Sequence, residues 1–149
     1  MRFWLTVTTF LVLFGLAKRF GKGPERQVAG ILLANLVLSL FNVMVRGRVD
    51  FHLMDPVLAL LDLATLGGFL WVALRANRMW PLVVCALQCL VMIAHVSVLT
   101  QRGWTQVYWG MMAISQYLQL IVLASGVLTH HRREKMAGPY RSWRPALPA

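Results

Sequence analysis

The sequence predicts an all-α protein, a polytopic transmembrane bundle of five helices, and three observations lead there. Of its 149 residues, 58% are hydrophobic and 13% are charged, which leaves too little polar surface to cover a water-soluble globule. The apolar residues fall into five blocks separated by short charged stretches. Basic residues outnumber acidic ones by 15 to 5. In an apolar chain such residues mark loops at an anionic leaflet, which argues for a lipid bilayer and against nucleic acid as the partner.

The first apolar block, residues 3–17, is the marginal span. Its length at about 1.5 Å per residue falls short of a hydrocarbon core of about 30 Å. A cleaved signal peptide or an interfacial or re-entrant segment is the alternative for this block. The second block spans 28–45 and ends at Arg46. Block length and flanking charge together predict a helix for each of these two blocks. The first helix is expected at the edge of the bundle, because its only polar residues are threonines.

The third block, residues 56–74, carries a clear helix start. Asp55 is suited to cap the helix, and Pro56 is favoured in a first helical turn. The fourth and fifth blocks span 82–99 and 107–128. Each is close to the length that crosses a bilayer, and the short loops between blocks predict antiparallel neighbours.

The distribution of basic residues predicts an outside N-terminus and a cytoplasmic C-terminus. Eleven basic residues fall on the inside segments of this topology: Lys18, Arg19, Lys22, Arg26, Arg75, Arg78, Arg132, Arg133, Lys135, Arg141 and Arg144. Four fall outside: Arg2, Arg46, Arg48 and Arg102. This excess on one side is typical of the positive-inside rule. It also favours retention of the first block, since cleavage would export four of these residues.

Residues 130–149 are predicted to form a basic cytoplasmic tail after a bundle domain of residues 1–129. The tail combines several prolines with scattered arginines and lacks apolar periodicity, so we expect it to be disordered and to lie along anionic lipid headgroups. Twelve of the basic residues are Arg and three are Lys. That bias fits a GC-rich bacterial genome, and the expected location is a bacterial inner membrane.

Polar residues inside the spans recur at helical spacing. The series are Asn35, Ser39 and Asn42; Asp55, Asp62 and Thr65; Cys85, Gln88, Met92 and His95; and Met112, Gln116 and Gln119. Residues three, four or seven apart share one helix face. Because a polar group facing lipid is costly, we expect the four polar faces to converge on a shared interior.

The candidate site comprises Asp62, His95, Asn42, Gln116, Asn35 and Gln88. Counted from the middle of each span, Asp62 and His95 lie about 4.5 and 7 Å towards the outside on adjacent helices, so they are predicted to meet. Asn42 is predicted near that level and Gln116 slightly deeper. A carboxylate and an imidazole at such depth are typical of proton or ion paths. The alternative is structural, since interhelical hydrogen bonds stabilise bundles by roughly 0.6 to 2 kcal/mol each.

No catalytic or phosphate-binding motif occurs, and no metal or cofactor is predicted. Cys85 and Cys89, four apart on one helix, are not expected to form a disulfide. The leading hypothesis is a small non-catalytic accessory or assembly subunit that binds another membrane protein or copies of itself. The first alternative is a proton, ion or small-solute transporter or channel component using Asp62 and His95. The second is a quinone- or haem-associated redox subunit, which a single deeply placed histidine supports poorly.

Overall fold

The computed structural model describes residues 2–46, 55–100, 105–138 and 142–143. These residues form five helices: α1 (Arg2–Phe20), α2 (Gly23–Arg46), α3 (Pro56–Arg75), α4 (Trp80–Thr100) and α5 (Thr105–Ala137). The described part of the chain contains no strand. The predicted all-helical bundle is therefore confirmed, and the four helices α2 to α5 are each long and apolar enough to cross a membrane.

The helices form a closed ring. Each one packs against its neighbours in the chain, and α1 also packs against α5. Two side-chain contacts, Thr6 with Tyr117 and Phe20 with His131, show that α1 and α5 run parallel, because partner numbers rise together. This arrangement contradicts the prediction that the first helix lies at the edge of the bundle. That helix closes the ring, and its Phe10 is buried against the interior.

Consecutive helices are antiparallel, as the short loops predict. On α2 and α3, Asn35 lies opposite Asp62 and Asn42 lies opposite Asp55, so one partner number falls as the other rises. Following the orientation predicted from charge, we call the end that carries Asp55 the outer end. The end at which α3 finishes is called the cytoplasmic end.

The outer surface of the bundle is strongly apolar. Phe41, Leu60, Ile114 and Ile121 are each more than 60% exposed. Lipid tails are as apolar as these side chains, so this exposure is expected of a membrane-spanning bundle and would be unfavourable in water. The interior combines apolar side chains such as Phe69 with most of the polar residues of the spans.

All five helices extend beyond their predicted blocks, and α2 and α5 do so by the most. α2 starts at Gly23 instead of residue 28, because Glu25 accepts a hydrogen bond from the backbone N–H of Lys22 (3.2 Å), which closes the first turn as in a capping box. α5 continues to Ala137 and stops at Gly138, whose φ of +75° suits glycine.

The extension of α5 differs from the predicted disordered tail, since residues 130–137 are helical. Hydropathy falls at His130, but helical geometry persists there because His130 and Glu134 have charged partners on other parts of the fold. Residues 142–143 also contact the bundle. Residues 139–141 and 144–149 of the predicted tail lie outside those that the structure describes.

Candidate functional site

Asp62 on α3 and His95 on α4 face each other inside the ring. Oδ2 of Asp62 lies 2.8 Å from Nε2 of His95, and the two residues are 9% and 2% exposed. The register of the two apolar spans predicted this contact. The prediction rests on two points: antiparallel neighbours bring residues of similar depth together, and each polar face turns away from lipid.

The other carboxylate oxygen of Asp62 accepts two amide hydrogen bonds. Asn35 Nδ2 on α2 donates to Oδ1 over 3.0 Å, and Gln88 Nε2 on α4 donates to the same atom over 3.1 Å. Gln88 Nε2 also lies 3.2 Å from the main-chain oxygen of Asp62. Ser39 in turn donates to Oδ1 of Asn35. Asp62 therefore connects three helices through one buried side chain.

The contacts continue to α5 in both directions from Asp62. Towards the cytoplasmic end, Gln119 Nε2 donates to Oε1 of Gln88 over 2.8 Å. Towards the outer end, the hydroxyl of Tyr108 lies 3.4 Å from Nδ1 of His95, and the two rings make an edge contact with centroids 5.7 Å apart. We call these residues the central network: Asn35, Ser39, Asp62, Gln88, His95, Tyr108 and Gln119.

The hydrogen-bond chemistry of the central network restricts where protons lie. Amide N–H groups only donate, so Oδ1 of Asp62 is an acceptor and carries no proton. The only proton between Asp62 and His95 therefore lies between Oδ2 and Nε2. When the carboxylate is ionised, His95 donates through Nε2 and its Nδ1 accepts from Tyr108.

A second proton fits the same heavy-atom arrangement. If His95 gains a proton at Nδ1, it becomes a donor on both nitrogens. The hydroxyl of Tyr108 can turn to accept, since a phenol oxygen both donates and accepts. The heavy-atom arrangement around Nδ1 of His95 thus fits either a donor or an acceptor at that nitrogen, and only the hydroxyl hydrogen of Tyr108 turns between the two.

Four of the six predicted site residues belong to the central network, namely Asp62, His95, Asn35 and Gln88. Asn42 does not: its Nδ2 donates to Oδ2 of Asp55 over 3.0 Å, about two turns nearer the outer end. Gln116 is half-buried, and among the described residues it makes no hydrogen bond with the network. Gln119 takes the place in the central network that was predicted for Gln116.

Three members of the central network, Ser39, Tyr108 and Gln119, were not chosen as site residues from the sequence, although Ser39 was placed on the polar face of the second helix. Gln119 was placed on the polar face of the fifth helix, but depth counting favoured Gln116. Tyr108 lies near the start of the fifth block, where aromatic side chains are typical of the membrane interface, but its side chain points inward and is 7% exposed. A usable signal was available, because Tyr108 lies eleven residues before Gln119, which is close to three turns of helix.

Asp55 forms a smaller polar group at the outer end. It caps α3 by accepting from the backbone N–H groups of Val57 and Leu58, as predicted, and it pairs with Arg46 over 3.3 Å. Burial acts to raise the pKa of Asp55. The hydrogen bonds from Asn42 and the two backbone groups, with the charge of Arg46, outweigh burial and leave that pKa below its usual value.

A second charged group lies at the cytoplasmic end. Glu25 and Arg78 form an ion pair in which both side chains are buried. Arg78 Nη2 also donates to Nδ1 of His130 over 3.0 Å. Glu134 Oε1 pairs with Lys22 Nζ over 2.5 Å, and its Oε2 lies 3.6 Å from Nε2 of His130. We call these five residues the cytoplasmic cluster. The sequence contained an indication of this cluster, because both glutamates of the chain lie in strongly basic segments.

Residues 142–143 cover part of the cytoplasmic cluster. The backbone N–H of Asn77 donates to the carbonyl of Ser142 over 3.2 Å, and the Ser142 hydroxyl accepts from Arg78 over 3.4 Å. The indole of Trp143 lies against Gly23 so closely that a Cβ there would overlap it. The C-terminal segment thus contacts both α2 and the α3–α4 turn.

Neither a protein-family model, nor a curated protein, nor a solved structure matches this chain. Within residues 2–46, 55–100, 105–138 and 142–143, no group of three or more His, Cys, Asp or Glu side chains is arranged to hold a metal ion. Cys85 and Cys89 are both free thiols. The functional argument therefore depends on the geometry of the polar groups.

Proposed function

We propose that this protein is a proton-linked membrane protein in which Asp62 and His95 bind and release a proton. The observation that carries the proposal is the 2.8 Å contact between Asp62 Oδ2 and His95 Nε2 in the bundle interior. An ionisable group at membrane depth is costly, and carboxylate–imidazole pairs are the usual components of intramembrane proton sites.

Exchange from the outer side is favoured by the position of Tyr108. This residue lies in the first turn of α5, so its hydroxyl connects His95 with the outer end of the bundle. In the opposite direction the central network continues into Gln88 and Gln119, whose amides do not ionise. On this proposal, the proton enters from the outer side in the helix arrangement described here.

A proton site that opens to one side at a time moves protons across the membrane only when the helices rearrange between the two sides. We therefore propose a transporter component, in which protonation of His95 changes the helix contacts made by Asp62 on α2 and α4. The bacterial inner membrane, where a proton gradient directed into the cell is available, is the proposed location. The Arg-rich basic segments support it.

Proton flux in proteoliposomes tests this function. The full chain is reconstituted, a pH gradient is imposed, and lumenal pH is followed with a pH-sensitive dye. We expect Asp62→Asn to abolish the protein-dependent flux and the matched variant Asp55→Asn to retain it, because Asp55 belongs to the outer polar group. Equal flux with wild-type protein and Asp62→Asn contradicts the proposal.

Proton binding is measured separately by infrared difference spectroscopy in lipid nanodiscs. A pH step is expected to change imidazole ring bands in the wild-type protein. These bands should be lost in His95→Gln and kept in His131→Gln, a histidine outside the central network. An unchanged spectrum in His95→Gln would show that His95 does not exchange the proton.

Assembly with another membrane subunit or a second copy is the second candidate function. The hydroxyls of Thr6 and Tyr117 lie 3.3 Å apart on the exposed surface between α1 and α5, and Tyr117 is 48% exposed. Hydroxyl groups on a lipid-facing surface favour contacts between helices. Cross-linking in native membranes tests it: a cross-linked oligomer that disappears in Tyr117→Leu supports assembly, and a monomer in both proteins contradicts it.

A further inference from the structure

A cavity of about 320 Å³ opens at the cytoplasmic end of the bundle. It lies between the α3–α4 turn, the start of α4 and the C-terminal half of α5. The polar side chains in its wall, apart from the indole of Trp80, are those of Asn77, Arg78, Ser125, Thr129, His130 and Arg133. Its position is separate from the central network, since Asp62 is more than three helical turns from Arg78 along the chain.

The wall of this cavity favours an anion. Two guanidinium groups, two hydroxyls, a side-chain amide and an imidazole line it, and none of its lining residues is acidic. The charge of Arg78 is offset by Glu25 behind it. Arg133 is exposed, and it therefore supplies the net positive charge that a ligand would meet. Guanidinium groups bind phosphate oxygens with two parallel hydrogen bonds.

The same cavity also has an apolar part. The indole of Trp80 packs over Gly126, where an added Cβ would come within 2.9 Å of the ring. Met79 and this indole belong to the cavity wall beside the charged groups. Tryptophan is typical of the level at which lipid headgroups meet the hydrocarbon core. An amphipathic ligand, with a phosphate joined to an apolar body, matches both parts.

We propose that this cavity binds a phosphate group, that of an anionic phospholipid of the cytoplasmic leaflet. Arg133 and Thr129 hold the phosphate oxygens, and Arg78, fixed by Glu25, forms the inner wall. Basic pockets between helices on the cytoplasmic side bind anionic headgroups in this way. A soluble phosphate compound shares the same chemistry, so the experiment separates the two sources.

Lipid retention measured by native mass spectrometry tests the proposal. The full chain is purified from nanodiscs that contain equal amounts of phosphatidylglycerol and phosphatidylcholine, and the lipids that remain bound are counted. We expect selective retention of phosphatidylglycerol and about a tenfold weaker retention in Arg133→Gln, since that variant loses charged hydrogen bonds. Arg132→Gln is the matched control, because Arg132 is exposed but does not line the cavity.

Equal retention in the Arg132→Gln and Arg133→Gln variants overturns the proposal, because it would indicate diffuse attraction to the basic end. A second experiment adds inorganic phosphate to the protein in nanodiscs of pure phosphatidylcholine and follows the ³¹P NMR signal of the added phosphate. Broadening that depends on Arg133, without any preference for phosphatidylglycerol, assigns the cavity to a soluble phosphate compound and overturns the lipid assignment. Flux through the Asp62 site is expected to be independent of both variants.

Discussion

The carboxylate of Glu25 and the guanidinium of Arg78 form an ion pair at the cytoplasmic end, with 0% and 7% of the two side chains exposed. The pair joins the first turn of α2 to the α3–α4 turn. Both charges have lost their hydration, so each one depends on the other. This relationship predicts a strong asymmetry between single and double substitutions.

We expect Glu25→Gln to destabilise the fold by about 3 kcal/mol or more, because it leaves the charge of Arg78 uncompensated in the interior. The double variant Glu25→Leu with Arg78→Met should lose less stability than either of these two substitutions made alone. Unfolding in mixed detergent micelles measures the difference. Arg26→Gln, an exposed neighbour, serves as the control and should change stability by less than about 0.5 kcal/mol. Similar losses for Glu25→Gln and Arg26→Gln would show that the ion pair is not buried.

Gln119 and Gln116 differ in their contacts, and their leucine variants should differ accordingly. Gln119→Leu removes the donor to Gln88 Oε1 and leaves that oxygen in an apolar interior, at a cost of about 1 kcal/mol or more. Gln116→Leu should remain within about 0.5 kcal/mol of wild type. The same unfolding measurement, with the NMR signal of the Gln88 side-chain amide, distinguishes them. A larger effect at Gln116 would restore the arrangement predicted from the sequence.

Asp55 should make stability depend on pH. Its folded-state pKa is lowered, so its contribution is fully present above its unfolded pKa, which is about 3.9, and is lost as pH falls through the folded value. We expect Asp55→Ala to cost about 1 kcal/mol at neutral pH through loss of the cap. Asp55→Asn keeps the cap but lacks the titrating group. Stability of Asp55→Asn should therefore fall less than that of wild type upon acidification below pH 4, and an equal fall would exclude this role.

Gly23→Ala and Gly30→Ala should have opposite effects. A Cβ at Gly23 would overlap the indole of Trp143, so the substitution displaces that contact and costs about 1 to 3 kcal/mol. Gly30, inside α2, has open space at this position, and alanine there should stabilise by about 0.5 to 1 kcal/mol. Thermal unfolding of both variants in one detergent provides the comparison. Stabilisation by both substitutions would mean that Trp143 does not pack on α2.

The positions of the spans could be predicted because hydropathy is a local property. The third span was predicted over 56–74 with Asp55 as its cap, and α3 is Pro56–Arg75 with that cap. α2 and α5 were predicted too short, because their ends are polar and are stabilised by partners distant in the chain. Glu25 has Arg78, and Glu134 has Lys22. Hydropathy alone has no access to such partners.

The sequence by itself determined the helical spans, their antiparallel order and the meeting of Asp62 with His95, because periodicity and span length fix face and approximate depth. Only the tertiary structure decided that Asn35 and not Asn42 reaches Asp62, and that Gln119 and not Gln116 reaches Gln88. The physical reason is that Gln116 and Gln119, three apart, differ by about 60° in direction and 4.5 Å in height, whereas Asn35 and Asn42, seven apart, share a direction to within about 20° but differ by about 10.5 Å in height. Choosing between them requires the rotation and offset of each helix, which packing against all its neighbours sets.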